Sequence, residues 1–193
     1  MGRTWIRLAA VAAALVAAAP LRAAPVEYRF DPSHTFVHFE VRHFGTSTLR
    51  GRFGPVEGSV VLDREAGTGN LTVNVATAGA SSGVRVFDSR LREADLLAST
   101  EFPQATFVAE RFVFDADRLV EVKGNFTMRG VRQPLTLRAL RFACETREML
   151  QREVCGGDFE AQIERSAFGA VFGLPFVADR VRLVIQVEGI RPE

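Results

Sequence analysis

The stretch S-H-T-F-V-H-F-E-V-R-H-F-G-T-S-T-L-R-G-R-F, Ser33 to Phe53, decides the fold. From Val37 to His43 it alternates without a break. Val37, Phe39, Val41 and His43 share one face, and His38, Glu40 and Arg42 share the other. Successive side chains of a strand point to opposite faces, so the pattern predicts a half-buried antiparallel strand, wet on one side and apolar on the other. Gly45 predicts a turn, and Leu49 to Phe53 the returning strand. The apolar face covers either a packed core or an occupied hollow, and alternation fits both.

Outward from this pair the same period recurs. Val26 to Asp31 reads as a short strand turned by Asp31-Pro32-Ser33, and Gly54-Pro55 interrupts the chain before Val56 to Arg64. Leu71, Val73 and Val75 alternate with Thr72, Asn74 and Ala76; Val120, Val122, Gly124 and Phe126 alternate with Glu121, Lys123 and Asn125. Thr106 to Phe114, Pro134 to Phe142, Asp158 to Arg165 and Arg180 to Glu188 complete the set. Strand periodicity fails only over Val84 to Ser99. There Phe87, Leu91, Ala94 and Leu97 make a partial helical stripe, which predicts a short helix at the sheet edge. Nine or ten antiparallel strands with short hairpins and one short helical insertion predict an all-β fold, an antiparallel barrel or a sandwich, and wet-outside, apolar-inside alternation on nearly every strand favours the closed barrel.

Residues 1–23 stand apart. Arg3 and Arg7 precede the apolar run Leu8 to Ala19, and Leu21-Arg22-Ala23 offers a small residue at a cut. The run is shorter than the roughly 20 residues of a membrane span, so the segment reads as a removable signal, with 24–193 the single mature domain. Removal of its three arginines takes the formal charge from +1 to −2, which gives no electrostatic case for nucleic acid. Trp5 leaves with the signal, while all 16 Phe remain beside the one Tyr, Tyr28. Export places Cys144 and Cys155 in an oxidising compartment, here the periplasm, where an even pair reads as a disulfide stabilising the fold by about 3 kcal/mol.

Alternating turns assign the loops to two ends. One end is expected to hold Gly45 to Ser47, Gly67 to Gly69, Asp115 to Asp117 and the loop between the cysteines. The other is expected to hold Asp31 to His34, Gly54-Pro55, the insertion, Arg129-Gly130 and Ser166 to Asp179. The second set is longer and more irregular, so it is expected to form a mouth with the insertion as its lid.

Asp31-Pro32-Ser33-His34 with Phe39, Val41 and His43, the step Gly51-Arg52-Phe53, Asp88-Ser89-Arg90-Leu91 through Glu101-Phe102-Pro103 and Phe107, Thr127 to Val131, and Arg165 to Gly169 occur in that order. Together they resemble the YceI-like family of exported, lipocalin-like barrels that bind polyisoprenoids, over Tyr28 to Glu188. Two positions depart from that family's pattern: Arg90 stands where His is usual, and Ala167 where Asp is frequent. The resemblance implies a long apolar chain inside the barrel with its polar end at one opening. Phe39, Val41, His43, Phe53, Val73, Phe107, Val122, Phe126, Ile163 and Ile185 are the expected cavity wall. His34, Arg90, Arg129 and Arg165 are the expected headgroup end.

Other chemistry finds little footing. His38 and His43 are five apart on one strand and point to opposite faces, so the three histidines make no metal set. No G-x-S-x-G, phosphate loop, H-E-x-x-H or cofactor motif occurs, and Ser33-His34 are merely neighbours. Arg165 shares the parity of Phe159, Ala161 and Ile163, so it points inward; a salt bridge to Asp31 or Asp88 is its expected partner. The expected function is a non-catalytic carrier of an isoprenoid-type lipid. The alternatives are a carrier of isoprenoid quinone serving a membrane redox partner, and a hydrolase assembled from residues distant in sequence.

Overall fold

A computed structural model describes residues 24–193; the expected signal segment, 1–23, lies outside the described residues. The alternating segments form ten strands: β1 (Val26–Phe30), β2 (Phe36–His43), β3 (Ser47–Phe53), β4 (Val56–Asp63), β5 (Thr68–Ala76), β6 (Gln104–Asp115), β7 (Arg118–Met128), β8 (Val131–Arg147), β9 (Arg152–Glu164) and β10 (Val177–Ile190). The sheet order is β1-β4-β5-β6-β7-β8-β9-β10-β2-β3, with β10 also pairing β1. β10 therefore lays one edge along β9 and the other along two strands in turn. It meets β2 from Val177↔His43 to Gln186↔Phe36, and β1 at Gly189↔Phe30 and Ile190↔Arg29. β1 and β2 are thus two halves of one wall position. β3 on β2 and β4 on β1 are the halves of the next. Ten strands make an antiparallel barrel of eight positions.

The two breaks follow from proline, which cannot donate to a ladder. At the first, the Asp31 carboxylate accepts from Ser33 N–H at 2.9 Å and from the Ser33 hydroxyl, and meets His34 Nδ1 at 2.7 Å, which winds a tight side-chain turn. Thr35, buried, then spans the gap: its hydroxyl donates to the Glu188 carbonyl and accepts from Glu188 N–H, both at 3.3 Å. The second break is Gly54-Pro55.

Because these breaks are jogs and not reversals, the expected assignment of loops to ends is corrected. The turn 44–46 shares the mouth with the insertion, Arg129-Gly130 and the 165–176 segment; Phe44 N–H donates to the Phe176 carbonyl at 2.7 Å. Asp31 to His34 and Gly54-Pro55 lie within the wall. The far end keeps the tight turns after β4, β6 and β8.

β3 pairs with β2 alone on one side. The insertion covers its other side, with Arg52 and Ser81 exchanging backbone bonds of 2.8 and 2.9 Å. This seam needs glycine: a Cβ on Gly79 would stand 1.8 Å from the Gly54 carbonyl oxygen. Helix α1 (Arg85–Leu91) follows. It lies over the mouth and not at a sheet edge, and its loop is held by Asp88, which accepts from Ser82 N–H, Ser82 Oγ and Ser81 Oγ. The expected stripe holds for Leu91, which packs inward, and for buried Leu97, but Phe87 and Ala94 are exposed. Beneath the insertion Ala80 and Leu97 pack with Ala105, Met128 and Phe168.

Two devices brace the wall. On the outside, Arg50, Glu40, Arg182, Glu160 and Arg138 form one alternating rung across β3, β2, β10, β9 and β8. Glu40 and Glu160 are held below the usual carboxylate range by their flanking arginines, Arg50 foremost at the first and Arg182 at the second. At the far end Cys144 and Cys155 are directly paired and disulfide-bonded within an extended β8–β9 hairpin, where a loop between the cysteines was expected.

Candidate functional site: an apolar hollow with a polar mouth

The inward faces do not meet at the centre. They enclose a cavity of about 970 Å³, wider than side-chain filling of an eight-position barrel requires and near the upper end of small-ligand pockets. All ten side chains expected on the wall line it: Phe39, Val41, His43, Phe53, Val73, Phe107, Val122, Phe126, Ile163 and Ile185. Phe30, Phe112, Phe142 and Phe159 join them. Below the mouth loops the lining is almost wholly aromatic and aliphatic, broken by Thr35, whose hydroxyl is already bonded to Glu188. His43, Ser47, Thr48, Ser89, Arg90, Glu93 and Arg165 line it only at the mouth. His43 packs edge-on to Phe44 at 4.7 Å.

Beyond the deep end lies buried Tyr28, whose hydroxyl donates to Glu153 at 2.8 Å, while Arg64 meets the same carboxylate at 3.0 Å. Burial, and then the bond to Glu153, push the phenol up to about 12, so it stays a neutral donor.

The expected headgroup residues are placed differently from the expectation. His34 is not at the mouth. It sits on the outside of the β1–β2 jog, exposed and bonded to Asp31, because that jog is within the wall. Arg90 does line the mouth, but its guanidinium grips both oxygens of Asp95, at 2.7 and 2.6 Å, and lies 3.7 Å over the Phe172 ring. Arg129 donates to the carbonyls of Phe168, Ala94 and Leu96 at 2.7 to 2.9 Å and is absent from the lining. Arg165 is buried and points inward as its parity predicted. Its acceptors, however, are the carbonyls of Ala170, Val177 and Ala178 at 2.7, 2.9 and 2.9 Å, and neither Asp31 nor Asp88. Burial lowers its pKa; nearby Asp179, held by Ser166, opposes the shift. The three arginines therefore stitch mouth loops together.

Two chemical alternatives can be weighed on geometry. Asp31, Ser33 and His34 are the residue types of a hydrolytic triad, yet Ser33 and Asp31 both meet Nδ1 of His34, at 3.1 and 2.7 Å. A relay needs the serine on one ring nitrogen and the carboxylate on the other, and this cluster lines no part of the cavity. Among the described residues, Cys144, Glu153 and Cys155 are the one group of three metal-type ligands. Both sulfurs are in the disulfide and offer no thiolate.

Parity missed Phe112 and Phe142 for one reason. β6 shifts register between Ala109 and Arg111, and β8 between Ala139 and Arg141. Each bulge inserts a residue and returns the next phenylalanine to the interior.

Known proteins share this architecture. BcnA of Burkholderia cenocepacia superposes with a TM-score of 0.69 at 19% identity, covering 82% of this chain and 98% of that one. A YceI protein of Campylobacter jejuni gives 0.67 at 20%, covering 79% and 90%. A polyisoprenoid binding domain from Saccharophagus degradans, implicated in plant cell wall breakdown, gives 0.60 at 15%, covering 86% and 99%. Protein YceI of Shigella flexneri is 31% identical over 174 residues, 88% of this chain and 89% of that protein. The YceI-like domain family matches residues 28–189. A jogged, insertion-capped barrel and a sequence match across nearly all of the described chain agree: the protein belongs to the YceI-like domain family.

Proposed function

We propose that this protein is exported to the periplasm by loss of residues 1–23 and there holds a long isoprenoid-type lipid inside its barrel, as a carrier without catalysis. The observation that carries the reading is the hollow itself: about 970 Å³, aromatic and aliphatic along its depth save for Thr35, whose hydroxyl is already bonded, with its other polar side chains at the mouth. Each CH₂ moved from water into such a wall contributes about 0.8 kcal/mol. A long unbranched or prenylated tail therefore suits it, whereas a compact polar molecule would leave its own groups unbonded. The mouth polar groups give a head a wet end to face. The polyisoprenoid binding domain of similar fold supports the same class of ligand.

Native mass spectrometry of the exported protein, followed by organic extraction, tests the reading. A prenyl chain recovered in near-stoichiometric amount supports it, and the head found on that chain separates a polyprenol or its phosphate from a quinone delivered to a membrane redox partner. A protein that is empty as isolated, and takes up no polyprenol offered in detergent, would remove it.

A further inference from the structure

We propose that the mouth rim docks on a phospholipid bilayer by burying its exposed phenylalanines in the interfacial layer, so that the cavity opens directly onto the membrane; this rests on the lipid-carrier reading. The distribution of exposed apolar groups carries the inference. Phe44, Phe87, Phe172 and Phe176 are the only exposed phenylalanines among the described residues, and all four stand at the mouth, joined by Val86 and Val171. They come from three separate loops, the 44–46 turn, α1 and the 165–176 segment. Val86, Phe87 and Phe172 also line the cavity, so at these side chains the outer apolar surface meets the inner one between the polar groups of the mouth. Contiguous exposed apolar surface of this kind marks an interaction site.

Phe44 is the sharpest case. It is 60% exposed, and its φ of 50° is one that bulky residues rarely adopt and that asparagine or glycine would occupy with less strain. Folding alone gives no reason for phenylalanine there. Its ring stacks at 5.6 Å on Phe176, itself 63% exposed, and the pair stands out beside the mouth. Neither ring lines the cavity.

The charges of the rim indicate how it engages. Arg90 is closed on Asp95, Arg92 donates to the Ala78 carbonyl, Arg129 is occupied by three carbonyls, and Asp88 holds Ser81 and Ser82. The other rim charges, Arg85 and Arg132 against Glu93 and Glu101, are exposed and balance in sign, so with the first group satisfied inside the protein attachment depends on buried apolar area rather than on anionic headgroups. A second copy of this chain on the same rim would seal the opening through which the lipid must pass.

The test floats the protein with phosphatidylcholine vesicles at low and high salt and compares the wild type with Phe44→Asn/Phe176→Ser. The backbone bond between these two residues survives both changes, and asparagine suits the left-handed position, so the melting temperature should hold or rise. A second variant, Met149→Ser/Leu150→Ser, removes exposed apolar groups from the far end. Loading with polyprenol from detergent, which needs no docking, checks the cavity independently. The expected result is flotation of wild type at both salt concentrations. The mouth variant should bind vesicles, and extract polyprenol from them, about tenfold less well, with detergent loading intact; the far-end variant should be unchanged. A wild type that loads from detergent but never floats, one that floats only on anionic vesicles and washes off in salt, a mouth variant that binds as wild type, or a rim-mediated dimer that ignores vesicles would each overturn the docking proposal. Failure to load from detergent would instead overturn the carrier reading beneath it.

Discussion

The two ends of the barrel are built on opposite terms. At the far end the strands return through tight turns, Cys144 and Cys155 join β8 to β9 covalently, and Tyr28 is buried with its hydroxyl on Glu153. At the mouth the connections are long, and side chains of Arg90, Arg129 and Arg165 hold them by hydrogen bonds to carbonyls and to one carboxylate. One end is fixed by a covalent bond, the other by side-chain contacts to loop acceptors, buried at Arg165 and partly exposed at Arg90 and Arg129. Loops joined to one another by a few side chains can shift with the strand ladders intact, whereas the far-end hairpin cannot part without breaking its disulfide.

The largest break in that contrast should come from Arg165. Arg165→Ala leaves the carbonyls of Ala170, Val177 and Ala178 without their donor in a buried place, an expected loss of about 3–5 kcal/mol in urea unfolding. Arg165→Lys should recover only part of it, since one ammonium cannot span three divergent carbonyls. Replacing both cysteines by serine should cost less, about 2–3 kcal/mol, and leave lipid occupancy unchanged. A fall in occupancy would mean that the far end shapes the cavity after all. Val73→Trp, which projects into the hollow, should lower occupancy severalfold with a melting temperature within a few degrees of wild type; a steep loss of stability would indicate an interior with no spare room.

Smaller effects sharpen the picture. Arg90→Ala removes the Asp95 pair and the contact with Phe172, both partly exposed, so only a small loss of stability is expected in urea unfolding. Faster lipid exchange at nearly constant stability is the result that would fit a latch. At the β1–β2 jog, the Ser33 hydroxyl and then His34 hold Asp31 down at about 2 against an ordinary 3.8. Its contribution is present above about pH 4 and lost as pH falls through 2. Asp31→Asn should flatten the stability profile in that window, read by urea midpoints at successive pH values.

Much of the wall was legible in the sequence. Val37 to His43, Leu71 to Val75 and Val120 to Phe126 alternate cleanly, and a half-buried strand admits no other reading of that period. The jogs at Pro32 and Pro55 were not legible, because a proline-bearing break that reverses the chain and one that only offsets it look alike in one dimension. That ambiguity moved His34 to the wrong place and the 44–46 turn to the wrong end. The bulges of β6 and β8 hid Phe112 and Phe142 for the same kind of reason, a shift of one residue that parity cannot count across. Arg165 showed the limit differently. Its direction followed from alternation, but its partners are main-chain carbonyls, which carry no residue-type signature.

The ring is closed by the first and last strands in the chain, Arg29 lying opposite Ile190. Until β10 is made, β9, β1 and β2 each present an unmated edge, and the costliest loop closure waits on that one strand. Loss of β10 would leave a curled, open ribbon and a detached β2–β3 hairpin, with hydrogen-bonding rims exposed to other molecules, the condition that invites aggregation.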